Sequence, residues 1–416
     1  MISDKSTSPF ILLAFLLQFL GLPLSLIAES LPAPNDQPAD MTNPVQVYIL
    51  LGQSNMLGFG KIAGDTEGTL EHAVKQKNLY PYLVDDEGNW TKRQDVRHVR
   101  VMGSGLGAMR LFNNEWLTIK GSKIGPEIGI GHYLGHATDA PVLLLKSCIG
   151  NRALGWDLLP PGGEGFEFTD AQGVTWIHPG YKGTPERWVK GTEPKKINWY
   201  AGMQYDGDVA RANQVLSEIE KYYPGVRKRN VDTAKVEELK TNIAAKEDFA
   251  RRANFTPEGR LKHQAEVATI RQELAAIQAA ANGYQIAGFF WWQGDRDSRS
   301  AALSSRYEKN LVHLIKQLRK DFNAPHAKFV SASLGQTKQG ANDGGGKILA
   351  AILAVDGTSG KYPEFQGNVA SVYTYPLSQG GNSGGHYSGH AETYMNVGEA
   401  MGKAMTDLLS RDKPSQ

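Results

Sequence analysis

Five short apolar runs, separated by helical stretches, are the feature that most constrains how this chain can fold. The runs are rich in β-branched and aromatic residues and alternate little, which is typical of strands buried on both faces of a sheet. They lie at residues 45–51, 141–147, 285–292, 328–334 and 369–375. Helical patterns cover about residues 126–137, 206–222, 300–322 and 390–410. The alternation of strands and helices predicts an α/β fold with a doubly wound, mainly parallel sheet flanked by helices.

The first 28 residues have the pattern of a secretory signal peptide. A short polar start with Lys5 precedes the almost wholly apolar stretch Pro9–Ile27. A membrane anchor is the alternative, because about 19 apolar residues come close to spanning a bilayer. The internal Gln18 and Pro23 favour a cleaved signal. We therefore expect a secreted or periplasmic protein, with no membrane association after signal removal.

A linker and one large domain are expected after the signal. Residues 29–44 are rich in Pro and Asp, as linkers are, and the domain itself is expected at 45–413. Two segments are longer than the connections that a small fold of this class needs. Residues 154–205 are rich in Gly, Pro and Trp and predict long ordered loops, whose aromatic residues suit either sugar stacking or packing. Residues 227–281 have an apolar stripe at helical spacing and predict an inserted helical hairpin.

The net charge argues against a nucleic-acid partner, and the cysteine content excludes an intrachain disulfide. The net charge of the 416 residues is +2, so the sequence offers no electrostatic case for a nucleic-acid partner. Cys148 is the single cysteine, which excludes an intrachain disulfide. Because it lies in an apolar strand, we interpret Cys148 as a buried structural thiol.

A serine follows the first apolar run directly, within Gly52-Gln53-Ser54-Asn55-Met56. This position places the hydroxyl at the carboxyl end of a strand, where open α/β folds bind their ligands. A backbone N–H after such a turn can help to hold an oxyanion. The alternative is that Ser54 only caps a helix. As a nucleophile it would need a base within hydrogen-bond reach, which is usually histidine.

This motif resembles the first block of the SGNH/GDSL hydrolase superfamily, in the branch of sialate O-acetylesterase and acetylxylan esterase-like carbohydrate esterases. Gly150-Asn151-Arg152 resembles the second block. Trp292–Asp297 is similar to the x-Gln-Gly-Glu-x-Asp part of the third block, Trp-x-Gln-Gly-Glu-x-Asp, with Asp295 at the glutamate position. Gly385-His386-Tyr387 resembles the block that carries the catalytic histidine. The resemblance covers roughly residues 45–410 apart from the insertion, and it implies the SGNH hydrolase-like, flavodoxin-like fold.

The resemblance also implies roles for individual residues. Ser54 would be the nucleophile and His386 the base. The N–H groups of Ser54 and Gly150 and the side chain of Gln293 would form the oxyanion hole, with Asn151 as a substitute for Gln293. The substrate-binding positions implied are Gln53, Asn151, Arg152 and Asp295; Arg152 has Asp157 as an alternative partner.

One departure from the family pattern leaves the orienting acid open. The family usually has an aspartate three residues before the histidine, and this chain has Ser383 there. One alternative is a remote carboxylate in its place, with Asp297 or Asp295 the best candidates. A backbone carbonyl or Ser383 could instead orient the ring of His386 in a Ser-His dyad. The last alternative is that His390 is the base.

No metal or organic cofactor is expected. The pairs His132/His136 and His386/His390 have the spacing of zinc ligands but lack the third ligand of a known motif. The resemblance therefore implies a serine esterase that removes O-acetyl groups from sialic acid or an acetylated polysaccharide through an acyl-enzyme, and the N-terminal pattern implies that it is secreted. The alternative is a catalytically degenerate carbohydrate-binding module with the same fold.

Overall fold

The computed structural model describes residues 31–411. The expected signal peptide, the first two linker residues and the last two residues of the expected domain lie outside this range. Residues 31–44 contain no helix or strand, although the N–H of Asp40 donates to Asp139 O at 2.7 Å. Within residues 31–411 no helix has the length and apolar character needed to cross a bilayer.

Twelve strands are formed within the described range. They are β1 Val45–Gly52, β2 Gly60–Lys61, β3 Lys92–Met102, β4 Arg110–Thr118, β5 Lys123–Ile124, β6 Val142–Ser147, β7 Phe166–Thr169, β8 Thr175–His178, β9 Trp188–Val189, β10 Tyr284–Trp292, β11 Lys328–Ala332 and β12 Val369–Val372. Seven of them form a central sheet in the order β12-β11-β10-β1-β6-β3-β4. Adjacent strands of this sheet run parallel, except that β3 and β4 are antiparallel.

Eleven α-helices lie in the same range. They are α1 Ser54–Leu57, α2 Leu70–Lys75, α3 Glu127–Ala137, α4 Met203–Ser217, α5 Ile219–Tyr222, α6 Thr233–Arg252, α7 Pro257–Asn282, α8 Asp295–Ser298, α9 Ala301–Asp321, α10 Gly344–Val355 and α11 Ala391–Ser410. The expected α/β architecture, with a mainly parallel sheet flanked by helices, is confirmed.

Helices cover both faces of the sheet because the side chains of each strand alternate between the faces. In β1, Val47 and Ile49 belong to a core that contains residues of α4, α9 and α10. Tyr48 and Leu50 belong to a second core with α3 and α11. Both cores are almost fully buried, which explains why the strand sequences alternate so little between apolar and polar residues.

The two segments outside the central layers are ordered. Helices α6 and α7 pack against each other, and Lys246 pairs with Glu266 across them at 2.8 Å. In the loop region 154–205, β7, β8 and β9 form a small antiparallel sheet. Four tryptophans lie in this region, and Trp156 is in a small core of its own with Leu303.

Strands β3 and β4 and helix α10 are absent from the sequence-based expectation. In β3 the polar residues are buried as partners: Arg93 Nε donates to Asp95 Oδ1 at 2.9 Å, and both residues are buried. A strand whose interior positions carry paired charges lacks the apolar run by which the other strands were identified. The sheet consequently has two more strands than its apolar runs indicate.

Candidate active site

The turn after β1 carries Ser54 and depends on a close approach of two strands. Gly52 and Trp292 are register partners at the carboxyl ends of β1 and β10. Gly52 has φ 143°, and a Cβ there would lie 2.4 Å from Trp292 O. Only glycine permits this approach. The next residues turn into the one-turn helix α1, so Ser54 stands at the carboxyl edge of the central strand with 8% of its surface exposed.

The second block meets the first at this edge. A Cβ at Gly150 would lie 3.5 Å from Ser54 Cβ, so Gly150 is a direct neighbour of the expected nucleophile. Asn151 is exposed and has a left-handed backbone, with φ 55°. Cys148, two residues before Gly150, is fully buried, and burial raises the pKa of its thiol to about 12. That environment fits an inert structural cysteine.

Arg152 is held firmly beside Gly150. Its guanidinium lies 4.9 Å from the ring centroid of Trp199 and donates to Ser104 Oγ at 3.1 Å and Gln204 Oε1 at 3.3 Å. Asp157 is 3.9 Å away, at the long end of an ion pair. Arg152 and Asp157 therefore form only a long ion pair. The side chain of Arg152 is half-buried beside Gly150.

Gln293 does not fit the expected oxyanion role. It is fully buried, and its Nε2 donates to Asp297 Oδ2 at 2.6 Å, to Arg152 O at 2.8 Å and to Gln53 Oε1 at 3.2 Å. An amide nitrogen has two hydrogens, so three acceptors leave none for an oxyanion. Gln293 instead ties the third block to the second and to the residue before Ser54.

Gln53 is likewise a support residue and not an exposed substrate ligand. It is buried, and its Oε1 also lies 3.4 Å from the N–H of Arg296. Its own N–H donates to Trp292 O at 3.3 Å. These bonds hold the start of the nucleophile turn against the third block.

Asp297 is engaged away from His386. Its carboxylate accepts from the N–H groups of Leu154 and Gly155, each at 2.9 Å, and from Gln293. Burial raises its pKa to about 6, against the effect of these donors. Asp297 thus fixes the loop after the second block, and among residues 31–411 no hydrogen bond joins it to His386.

Asp295 is the carboxylate associated with the histidine turn. Its Oδ1 accepts from Ser383 Oγ at 2.7 Å, and its other oxygen pairs with Arg299. Gln336 Nε2 donates to Ser383 Oγ at 3.1 Å, and its Oε1 accepts from Ser383 N. Asp295 and Ser383 are both buried. Asp295 was expected to bind substrate, and these contacts place it between the third block and the histidine-bearing turn instead.

His386 lies in a turn with unusual backbone geometry. His386, Tyr387 and Ser388 have φ values of 53°, 52° and 54°. Three consecutive non-glycine residues in the left-handed region are costly and need support from the surrounding structure. Tyr387 supplies it: the side chain is fully buried, stacks on Trp292, and its hydroxyl accepts from the Gly335 N–H at 3.0 Å.

The imidazole of His386 stacks on Phe59, with ring centroids 4.0 Å apart and planes 5° from parallel. Its pKa is lowered by partial burial, and the negative charge of Asp295 opposes that shift. The turn that carries it packs against α1. Among residues 31–411, no hydrogen bond joins the imidazole to Ser54 or to a carboxylate. Free enzymes often hold such groups loosely before substrate binds.

His390 is turned to a different cluster. Its Nε2 is 3.8 Å from Glu67 Oε1, and it precedes α11. Glu67, His390 and Glu392 offer ligand atoms within 4.8 Å of one another, the spacing of a metal site. The ammonium of Lys77 already lies 2.6 Å from each of the two carboxylates. These contacts favour His386 over His390 as the base.

Sequence reasoning missed two residues near Ser54. Asn55 is fully buried, and neither polar atom of its side chain has a hydrogen-bond partner within the described part of the chain. Phe59, which stacks on His386, lies outside the recognised blocks. Asn55 belongs to the first block but was assigned no role there, and for Phe59 the only sequence signal is closeness to Ser54 along the chain.

One part of the chain is similar to a known esterase family. Residues 260–407 match the family model of "Carbohydrate esterase, sialic acid-specific acetylesterase". The matched segment is less than half of the chain; it contains the third block and His386 but neither Ser54 nor Gly150. No curated protein sequence matches the chain.

Solved structures give low similarities. A protein from Arabidopsis thaliana is 16% identical, with a TM-score of 0.42, over 88% of this chain and 98% of its own. A carbohydrate acetylesterase from Xanthomonas citri is 12% identical, with a TM-score of 0.43, over 89% of this chain and 57% of its own. The site assignments rest on the geometry of this chain. Over residues 260–407, the family match agrees with the predicted resemblance to sialate O-acetylesterase-like carbohydrate esterases.

Proposed function

We propose that this protein removes O-acetyl groups from a carbohydrate, with Ser54 as nucleophile and His386 as base. The observation that carries the proposal is the meeting of three blocks at one sheet edge. Ser54 directly follows β1, Gly150 is its neighbour, and the His386 turn packs against the helix that Ser54 begins. Open α/β sheets bind ligands at this edge.

The chemistry requires a proton acceptor and an oxyanion site. His386 would take the Ser54 proton as the hydroxyl attacks the acetyl carbonyl, and would return it to the departing sugar oxygen. The N–H groups of Ser54 and Gly150 would stabilise the negative oxygen. Asn151, exposed beside Gly150, is the side-chain donor that replaces the engaged Gln293. Water activated by His386 would then hydrolyse the acetyl-enzyme.

Asp295 is the acid that we propose to orient and charge-stabilise His386. Its charge acts on the imidazole, and Ser383 and Arg299 fix both its oxygens close to the histidine turn. Formation of imidazolium during attack would strengthen this attraction. A small rearrangement that brings the imidazole into contact with Asp295 on substrate binding completes the triad.

The rim of the site suits a sugar. Arg152 is fixed by stacking on Trp199 and lies next to the exposed Asn151. A planar cation and an amide side by side can donate to sugar hydroxyl or carboxylate oxygens. We therefore propose that Asn151 and Arg152 contact the sugar, while Gln53 supports the turn from below.

The decisive test is hydrolysis of a chromogenic acetate ester and of an acetylated sialic acid. Wild type should turn over both, and Ser54→Ala should be folded and inactive. Mass spectrometry of an acid-quenched reaction should find the acetyl group on the Ser54 peptide. A folded wild-type protein without activity that still binds the sugar would instead support the degenerate carbohydrate-binding module.

Two expectations about the chain outside the site remain part of the proposal. The apolar segment at residues 9–27 would direct the protein out of the cytoplasm, after which it would act as a secreted or periplasmic enzyme. The α6–α7 pair would be an insertion into a smaller esterase fold, since it lies between α5 and β10 and lacks any site residue.

A further inference from the structure

The nucleophile helix α1 has only four residues, so it cannot hold its own geometry. A single helical turn fixes several backbone dihedrals for very few hydrogen bonds. Here Leu57 N donates to Gln53 O and Gly58 N donates to Ser54 O, each at 3.1 Å. The carbonyl groups at the helix end need partners from elsewhere in the protein. The position of Ser54 therefore depends on what holds that end.

A buried lysine caps the end of this helix. Lys146 Nζ donates to Leu57 O at 3.1 Å, and the side chain of Lys146 is fully buried. Lys146 lies on β6, the neighbour of β1, where it is the register partner of Leu50. A positive charge at the carbonyl end of a helix also interacts favourably with the backbone dipoles. The side chain of Lys146 thus links β6 to the turn that follows β1.

The charge of Lys146 is balanced by Glu127 at the start of α3. Glu127 Oε2 lies 2.5 Å from Lys146 Nζ, and Oε1 accepts from Gly125 N at 3.1 Å. Gly125 is in turn packed against Gly58, where a Cβ would lie 2.2 Å from Gly125 Cα. The ion pair and the glycine contact therefore enclose the end of α1 from two directions.

Stability alone is a poor reason for such a pair. Removing two charges from water costs as much as their attraction returns, and buried ion pairs are often replaceable by apolar residues without loss of stability. We propose that Lys146 is a positioning residue for the esterase reaction, which fixes Ser54 through its bond to Leu57 O, with Glu127 as its counter-ion. This rests on the proposed role of Ser54.

The test compares variants by turnover and by folding. In Lys146→Met/Glu127→Gln the pair is replaced without an unpaired charge, and the bond to Leu57 is lost. We expect a folded protein whose kcat falls at least about tenfold, with KM within about twofold, because misplacement of a nucleophile acts on the chemical step. The rate of inactivation by a serine-directed fluorophosphonate should fall in parallel. The matched control is Lys240→Met/Glu237→Gln, which removes an exposed pair on α6 and should leave both rates unchanged.

A folded double variant with unchanged kcat would overturn the proposal. Should it not fold, Glu127→Gln decides: this change keeps the Lys146 bond to Leu57 O and removes only the counter-ion. It should lower the melting temperature while keeping kcat within about threefold, because an unpaired buried charge costs stability. A tenfold loss of kcat in folded Glu127→Gln would contradict the role of the Leu57 bond. An inactive wild type would refute the proposed function instead, so the two failures are distinguishable.

Discussion

The hydroxyl of Ser383 donates to Asp295 Oδ1 at 2.7 Å. Ser383 occupies the position at which related esterases usually carry the acid, and its partner is the carboxylate of the third block. In the proposed site the acid comes from another strand end, and the local serine holds it. This relationship leads to the first prediction.

Asp295→Asn should lower kcat by orders of magnitude while the protein stays folded. The imidazolium that forms during attack would lose the attraction of the Asp295 carboxylate, and loss of an orienting aspartate is severe in serine hydrolases. Steady-state kinetics with a chromogenic acetate check this, with the melting temperature as the folding control. A kcat within about tenfold of wild type would exclude Asp295 as the orienting acid.

Ser383→Asp tests the exchange of positions. Alone it should reduce activity and stability, because two carboxylates would lie at hydrogen-bond distance and one would have to take up a proton. Combined with Asp295→Asn it should recover part of the lost kcat. If the double variant is no more active than Asp295→Asn, an acid at position 383 cannot reach His386 in this turn.

The pH profile should report the environment of His386. Partial burial lowers its pKa, so the base stays neutral to a lower pH than an ordinary histidine, and the acidic limb of kcat/KM should lie below about pH 6.5. The charge of Asp295 raises that pKa, so Asp295→Asn should move the limb further down. An acidic limb above pH 7 in wild type would contradict a neutral, partly buried base.

Phe59→Leu should weaken the positioning of His386 without removing any charged group. The stacked pair is worth about 0.5–1.5 kcal/mol, so we expect a fall in kcat of up to about tenfold. The pKa of His386 should move towards its ordinary value because burial decreases. Phe249→Leu, on the exposed surface of α6, is the matched control. Equal effects of the two changes would show that the stack has no role in the reaction.

Asp297→Asn should act on structure more than on the acid-base chemistry. Its carboxylate accepts from two backbone N–H groups and from Gln293, and an amide would present a donor to one of them. We expect a lower melting temperature and a higher KM, since the loop after Arg152 would loosen. If melting is unchanged and kcat alone collapses, the assignment of Asp297 as a loop support is refuted.

How far the sequence could predict this site is clear from the third block. The apolar run ending at Trp292 was enough to place the block at a strand end, because buried parallel strands have few alternatives. The sequence does not show which of the two carboxylates in this block lies beside the histidine turn. Asp295 and Asp297 lie two residues apart on the one-turn helix α8, so they point in different directions. Only the surrounding loops decide which one meets Ser383 and which one meets Leu154.

Strand β3 shows the opposite difficulty. Its charged residues resemble those of a surface segment. They can nevertheless be buried, because Arg93 and Asp95 form hydrogen bonds with each other. The left-handed turn at His386 was equally inaccessible, since no glycine marks the three positions themselves. Both features are set by tertiary partners that no local pattern contains.

The division of β1 between two cores constrains how this protein can change. Val47 and Ile49 face one layer of helices and Tyr48 and Leu50 the other, and the strand then runs directly into Gly52 and Ser54. If one residue were inserted into β1, every following side chain of the strand would face the opposite layer of helices. Ser54 would then be turned towards the wrong face of the sheet. The segment 154–205, whose small sheet lies outside both cores, can lengthen without that penalty. Diversification of substrate choice in such a protein is therefore expected in its loops, while the length of the central strand stays invariant.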